Sequence, residues 1–200
     1  MVERHLVIFV KAPRVGAVKT RLAQGIGSLA SWQFYRRTTN DLLRRLKGGR
    51  WRVWLAVTPD EYAGQKCFWP GDQERLAQGR GDLGQRMARP MHDLPPGPVV
   101  IVGSDIPDIS RLMIEKAFND LNKSDVVVGP ANDGGYWLIG MRRRPARAFR
   151  LFDNIRWSSE HALTDTLAGL DRKLSVARID TLNDIDTPSD YREWRERNRS

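Results

Sequence analysis

The chain has one cysteine, Cys67, in 200 residues, so no intramolecular disulfide can form, and with three histidines no Cys/His cluster has zinc spacing. Such sparing use of cysteine suits a reducing compartment, and the cytoplasm is the expected location. Cys67 lies between Lys66 and Phe68 with no histidine close by in sequence, and it reads as a semi-buried bystander rather than a nucleophile. No apolar run approaches the roughly 20 residues that span a bilayer as a helix, which argues against a membrane protein. Residues 1–10 include Glu3 and His5 and lack the apolar core of a secretory signal, so they read as a first strand. Linkers, low-complexity tracts and internal repeats are also missing, and one domain over 1–200 is expected. Two common phosphate signatures are absent as well. The loop around Gly16 and Lys19 has one glycine where the Walker pattern needs two, and it is not a GxGxxG turn, so P-loop and dehydrogenase readings lose their main support.

What is in excess is positive charge: 33 Lys and Arg against 24 Asp and Glu leave a net +9. That balance favours an anionic partner, either nucleic acid or a phosphorylated small molecule. Much of the excess sits in Arg142, Arg143, Arg144, Arg147 and Arg150 and in Arg192, Arg195, Arg197 and Arg199. Both stretches read as solvated surface and lack interleaved aromatics on which bases could stack, so the small anion is favoured over nucleic acid.

Five or six short apolar runs separated by helical or loop stretches predict an α/β protein of three layers, with a mostly parallel sheet covered on both faces. Strands are expected at 5–10, 51–57, 99–102, 125–128 and 174–179, with extended structure at 137–141. Helices are expected at 28–46, 111–121 and 158–170, and the glycine-bearing stretch 59–84 reads as irregular structure over a cleft. Thr187, Pro188 and Asp190 together spell a helix start, with Thr187 as N-cap and Asp190 as the third-position acid.

Four segments carry candidate chemistry. Gly103 to Asp108 follows the apolar run at 99–102, which places Asp105 at the carboxyl end of a buried strand, where open α/β sheets bind ligands. A carboxylate there suits a hard divalent cation and hence a phosphate-bearing substrate, the plain alternative being an Asp that turns the chain. The loop after the first strand holds Lys11, Arg14, Lys19 and Arg21 around Gly16, well placed for phosphate oxygens. Asp133 precedes Gly134 and Gly135, where the backbone can approach a ligand closely, although Asp-Gly is also a common hairpin turn. Capping accounts for Asp190 and leaves Asp184 and Asp186 free, so Asp186 could supply a second carboxylate to an ion at Asp105.

In this order the stretches 11–23 (KAPRVGAVKTRLA), 81–87 (GDLGQRM), 103–109 (GSDIPDI), 129–140 (GPANDGGYWLIG), 151–160 (LFDNIRWSSE) and 184–191 (DIDTPSDY) resemble the radical-SAM/selenodomain-associated transferase 1 family. Its members are similar to nucleotide-diphospho-sugar transferases of the glycosyltransferase-A type and related to phospholactate guanylyltransferase. The resemblance implies magnesium or manganese held by Asp105 and Asp186. It also implies nucleotide binding by Lys11, Lys19, Arg21, Gly81, Gly84, Gln85 and Asp105, with Lys19, Arg21 and Asp133 as catalytic positions and Asp133 on the acceptor side. The first loop departs from that of the sugar nucleotidyltransferases, bearing proline and lysine in place of a glycine-rich stretch, and is closer to the phospholactate enzyme. The expected partners are a nucleotide or nucleotide-sugar and a small acceptor. Glycosyl transfer from a nucleotide-sugar is the leading expectation and nucleotidyl transfer onto a phosphorylated acceptor the alternative. A basic nucleic-acid-binding protein is the competing class.

Overall fold

The computed structural model describes residues 2–69, 71, 73–143 and 152–198. Its strands are β1 (His5–Lys11), β2 (Arg52–Thr58), β3 (Glu74–Ala77), β4 (Val99–Gly103), β5 (Val126–Pro130), β6 (Tyr136–Met141) and β7 (Val176–Arg178). The helices are α1 (Thr20–Ile26), α2 (Ser28–Leu46), α3 (Leu83–Asp93), α4 (Arg111–Asp120), α5 (Ala162–Ala168) and α6 (Pro188–Arg197). Among the described residues the strands form one seven-stranded sheet in the order β3-β2-β1-β4-β6-β5-β7. Only β6 runs against its neighbours.

Strand periodicity explains the layers. Successive side chains of a strand point to opposite faces. Leu6, Ile8, Val10, Val100 and Val102 therefore pack with Leu42, Leu43 and Leu46 of α2 and with Ile114, Ala117 and Phe118 of α4. Val7, Val99 and Ile101 turn the other way and meet Met87 and Met91 of α3, with Leu163 and Leu167 of α5 against the same cluster. Both faces are covered, so the central strands read as continuous apolar runs. A third cluster joins Leu22, Phe34 and Ile185, with Tyr191 and Trp194 of α6 packed on it; Phe34 meets both of those rings edge-on.

Several expectations need correction. The stretch 59–84 contains β3, a four-residue edge strand, and its last residues open α3 at Leu83. Pro90 inside α3 masks the helix in sequence, because proline normally marks a boundary. The helix expected from 158 begins at Ala162, since Ser158 has a left-handed backbone, φ 57°. The last strand is shorter than expected, Val176–Arg178. Cys67 is exposed. Arg143 is no solvated side chain: its guanidinium donates to the carbonyls of Gly97 (2.6 Å), Met91 (3.2 Å), Leu94 (2.8 Å) and Pro95, collecting oxygens at the end of α3. Arg144, Arg147, Arg150, Leu151 and Arg199 lie outside the described residues. Among the described residues no helix is long and apolar enough to cross a membrane.

Candidate functional site

The antiparallel insertion of β6 leaves β5 and β7 pointing the same way as β1 to β4. The loops after β1, β3, β4, β5 and β7 therefore all emerge at one edge of the sheet, the carboxyl edge of the parallel strands. Every candidate residue named from sequence lies in one of those loops or at their ends.

Asp105 follows β4 by two residues. The loop from β1 returns to it through Lys19, which caps α1 in a left-handed conformation (φ 49°, ψ 47°). This backbone turns the lysine inward, and only 8% of the residue is exposed. Its ammonium donates to Asp105 Oδ2 at 2.8 Å and to Asp186 Oδ1 at 3.3 Å. Arg21, on the first turn of α1, donates to Asp186 Oδ2 at 3.2 Å. One buried cation thus bridges two carboxylates, and a second, exposed cation also holds Asp186. Burial works against the Lys19 charge, but Asp105 and Asp186 outweigh it and hold the pKa above the ordinary lysine value.

Local chemistry explains how the acids are aimed. Asp190 closes a capping box with Thr187, accepting from the Thr187 N–H (2.7 Å) and also from the Asp186 N–H (3.0 Å). The residue before the helix is thereby fixed. The Ile185 N–H lies 3.4 Å from the Asp105 carbonyl, which docks this segment on the loop after β4. On the other side, the Tyr35 hydroxyl of α2 accepts from the Lys11 N–H at 2.8 Å and sits 3.2 Å from Ser104 Oγ, tying the starts of the β1 and β4 loops together.

Asp184 is a further acid of the cluster. Burial first, and then the neighbouring Asp105, push its carboxyl up to about 6; Asp186 and Asp133 act in the same direction and Lys19 opposes them. Its place in the run 180–190 was the available signal, but spacing alone does not say which of several acids turns inward. Asp133 stands in the tight turn between β5 and β6, where Oδ1 accepts from the Gly135 N–H at 2.9 Å. It therefore has a turn role in addition to its place near Asp184.

The structure brings Lys19, Arg21, Asp105 and Asp186 into direct contact. The others share the sheet edge without touching them. Lys11 is exposed. Gly81 has φ 107°, and Gln85 completes the cap of α3, its Oε1 accepting from the Asp82 N–H at 3.1 Å while Asp82 accepts from the Gln85 N–H at 2.8 Å. A Cβ on Gly84 would lie 2.6 Å from Phe152 and 2.7 Å from Trp157, so that glycine permits close packing under the turn. Among the described residues no group of three or more His, Cys, Asp or Glu side chains is arranged around one point; the carboxylates Asp105 and Asp186 are turned instead onto Lys19.

The family that matches the chain is DUF2064, "Uncharacterized protein conserved in bacteria", over residues 41–159. No curated protein matches. Among solved structures, a protein of Desulfovibrio desulfuricans G20 described as a candidate nucleotide-diphospho-sugar transferase is 33% identical at a TM-score of 0.90, with 100% of this chain and 89% of that one covered. The 4-diphosphocytidyl-2C-methyl-D-erythritol synthase of Anaerococcus prevotii DSM 20548 is similar at TM-score 0.61 and 14% identity, over 94% of each chain. CMP:2-keto-3-deoxy-manno-octonic acid synthetase, in complex with CTP, is similar at TM-score 0.59 and 13% identity, over 97% of each. The fold is therefore the three-layer α/β fold with a mostly parallel sheet that these transferases share.

Proposed function

The chain belongs to the DUF2064 family, and from that membership and its strand-end cluster we propose a metal-dependent transferase that uses a nucleotide-activated donor, with sugar transfer from a nucleotide-sugar to a small acceptor as the leading reading. Within DUF2064 we assign it to the radical-SAM/selenodomain-associated transferases, as a single domain over 1–200 working in the cytoplasm. The observation that carries the reading is the buried Lys19 ammonium shared between Asp105 and Asp186 at the carboxyl edge of the parallel strands.

The donor set fits magnesium or manganese. Asp105 and Asp186 offer hard oxygens already gathered on one positive charge, and magnesium takes one or two protein carboxylates with phosphate and water for the rest. When bound, the ion supplies positive charge against the diphosphate. Lys19 and Arg21 then have phosphate oxygens as alternative partners and neutralise the charge that grows on the leaving group. In glycosyl transfer an acceptor hydroxyl oxygen bonds the anomeric carbon, the bond from that carbon to the diphosphate breaks, and a nucleoside diphosphate leaves. The hydroxyl proton passes to a base, the role given to Asp133, whose second carboxylate oxygen is not used in the turn.

Nucleotidyl transfer is the second reading, favoured by the cationic β1 loop and by the names of the two more distant structural neighbours. There an acceptor phosphate attacks the α-phosphorus and pyrophosphate leaves; that nucleophile is already ionised and needs no base. One experiment separates them. The protein is incubated with magnesium, an acceptor mixture and each nucleoside triphosphate or nucleotide-sugar in turn, and pyrophosphate and nucleoside diphosphate are assayed. Nucleoside diphosphate from a nucleotide-sugar supports the first reading and pyrophosphate from a triphosphate the second; neither product across the panel rejects both.

A further inference from the structure

The ladder between β1 and β4 ends before β1 does. Its last rung is Phe9 opposite Gly103, yet β1 continues to Lys11 beside Thr58 of β2. Alternate residues of β1 address opposite neighbours: the His5 N–H donates to the Pro98 carbonyl on the β4 side, and the Ala12 N–H to the Thr58 carbonyl of β2. Lys11 is in step with His5, so its N–H and carbonyl face the side of β4, which has already left the sheet. In the same register the next rung would set Asp105 opposite Lys11. Its side chain would then lie on the face of Val99 and Ile101, toward Met87 and Met91 of α3. Lys19 approaches from the other face, since α1 packs through Leu22 on Phe34 of α2. The contact between Lys19 and Asp105 therefore requires the two strands to part after Gly103.

Tyr35 of α2 fills the gap. It is 5% exposed, and its Oη accepts from the Lys11 N–H at 2.8 Å and lies 3.0 Å from the Lys11 carbonyl. A carbonyl can only accept, so the phenol proton goes there. Ser104 Oγ, 3.2 Å away, is then the donor to the remaining lone pair. Burial pushes the phenol pKa up, which keeps its proton in place. One hydroxyl thus satisfies both backbone groups that β4 would have paired, and it holds the first residue past that strand. The same helix fastens the two loops that diverge here: Trp32 Nε1 donates to the Pro13 carbonyl at 2.6 Å, and Arg45 donates to the carbonyls of Pro107 (2.7 Å) and Ile109. The strands part where β2 lies on one side of β1 and β4 on the other, the point of an open sheet at which ligands bind.

We propose that Tyr35 is a positioning residue: its hydroxyl replaces the next rung between β1 and β4, holds the crevice between them open, and so sets Asp105 against Lys19 for the donor's diphosphate. The inference rests on the nucleotide-donor reading above. Tyr35 acts through Lys11 and Ser104, the residues from which the cationic loop and Asp105 depart. Without the hydroxyl, the Lys11 N–H and carbonyl take water or the β4 backbone as partners, and either change moves Asp105 relative to Lys19.

The test is binding of ADP, GDP, CDP and UDP with magnesium to the full chain, measured by calorimetry and continued with whichever nucleotide binds most tightly. Tyr35→Phe keeps the ring and removes the hydroxyl. The folded variant is expected to bind that nucleotide about tenfold more weakly, and the nitrogen resonance of the Lys19 ammonium, resolved in the wild type by its burial, is expected to broaden or vanish. A purely structural role would lower the urea midpoint and leave both affinity and resonance unchanged. A third measurement needs no variant and holds even if Tyr35→Phe does not fold. In the wild type the Lys11 N–H, beyond the last rung, is expected to exchange with deuterium as slowly as the ladder amide of Phe9. Unchanged affinity in folded Tyr35→Phe, an unchanged Lys19 resonance, or free exchange at Lys11 in the wild type overturns the inference and leaves the donor reading standing. If the wild type binds none of the four, the nucleotide-donor reading itself fails, and the positioning role fails with it.

Discussion

The sheet has two halves that contribute to the site in different ways. In the parallel half, β3-β2-β1-β4, candidate groups sit within a residue or two of strand ends: Lys11 at the end of β1 and Asp105 two residues past β4. In the mixed half, β6-β5-β7, β6 runs antiparallel to β5 while β7 runs parallel to it, and the acids come from loops, 131–135 and 180–187, that must be docked by other means. The docking is visible in the single bridge Ala131–Leu182, the contact from Ile185 to Asp105, and the capping box of α6. The first half presents its groups from ladder-held strand ends, and the second, joined to it by the β4–β6 ladder, presents its acids from loops. Lys19 is where they meet, with Asp105 from one half and Asp186 from the other.

If both halves build one centre, removing either carboxylate has the same large effect. Asp105→Asn and Asp186→Asn are each expected to reduce magnesium-dependent turnover about 100-fold or more, measured as product release from the active donor. A loss confined to Asp105→Asn separates the mixed half from the chemistry. Next in size is the junction itself. Lys19→Met leaves two carboxylates facing each other, and urea unfolding is expected to show a loss of about 2 kcal/mol, a buried-pair cost reduced because the acids are partly solvated. Arg21→Met, at a side chain 73% exposed, is expected to cost less than about 0.5 kcal/mol. Equal losses would mean that Lys19 is not the buried keystone.

The seam between the halves can be probed without touching charge. A Cβ on Gly140 of β6 would lie 2.7 Å from Val127 of β5 and 2.9 Å from Val100 of β4, so Gly140→Ala is expected to destabilise by about 1–2 kcal/mol through overpacking. An unchanged urea midpoint would show that the seam yields. The smallest effect belongs to the outer part of the mixed half. Asp165 of α5 is held down to about 2 by its bonds from the Arg156 guanidinium and N–H. A folded pKa below the unfolded one means its contribution is present above about pH 4 and lost as pH falls toward 2. Arg156→Gln is expected to flatten that part of the stability curve slightly, as read from thermal unfolding between pH 2 and 5; an identical curve would remove the pair from the acid response.

Much of the fold was legible because its signals are local. The apolar run before Asp105, the helix at 28–46 and the Thr187-Pro188-Asp190 start each fall where a short stretch of sequence puts them. The direction of β6 was not legible, since the same apolar run serves a parallel or an antiparallel strand and only its neighbours choose. Nor was β3, four residues on an edge with little burial to advertise it. Asp184 was one acid among several, and Arg143 one arginine among many; each took its role only when distant carbonyls or carboxylates closed around it.

By itself the sequence determined which groups could matter: a carboxylate after a buried strand, cations in the first loop, and a capped helix that aims a second acid. It could do so because strand runs, caps and turns depend on neighbours a few residues away. Tertiary structure alone decided that Lys19, a residue of the cationic loop, lies buried between Asp105 and Asp186, which are 86 and 167 positions distant. Burial removes the competing water, and in that setting one ammonium can gather two carboxylates from opposite halves of a sheet.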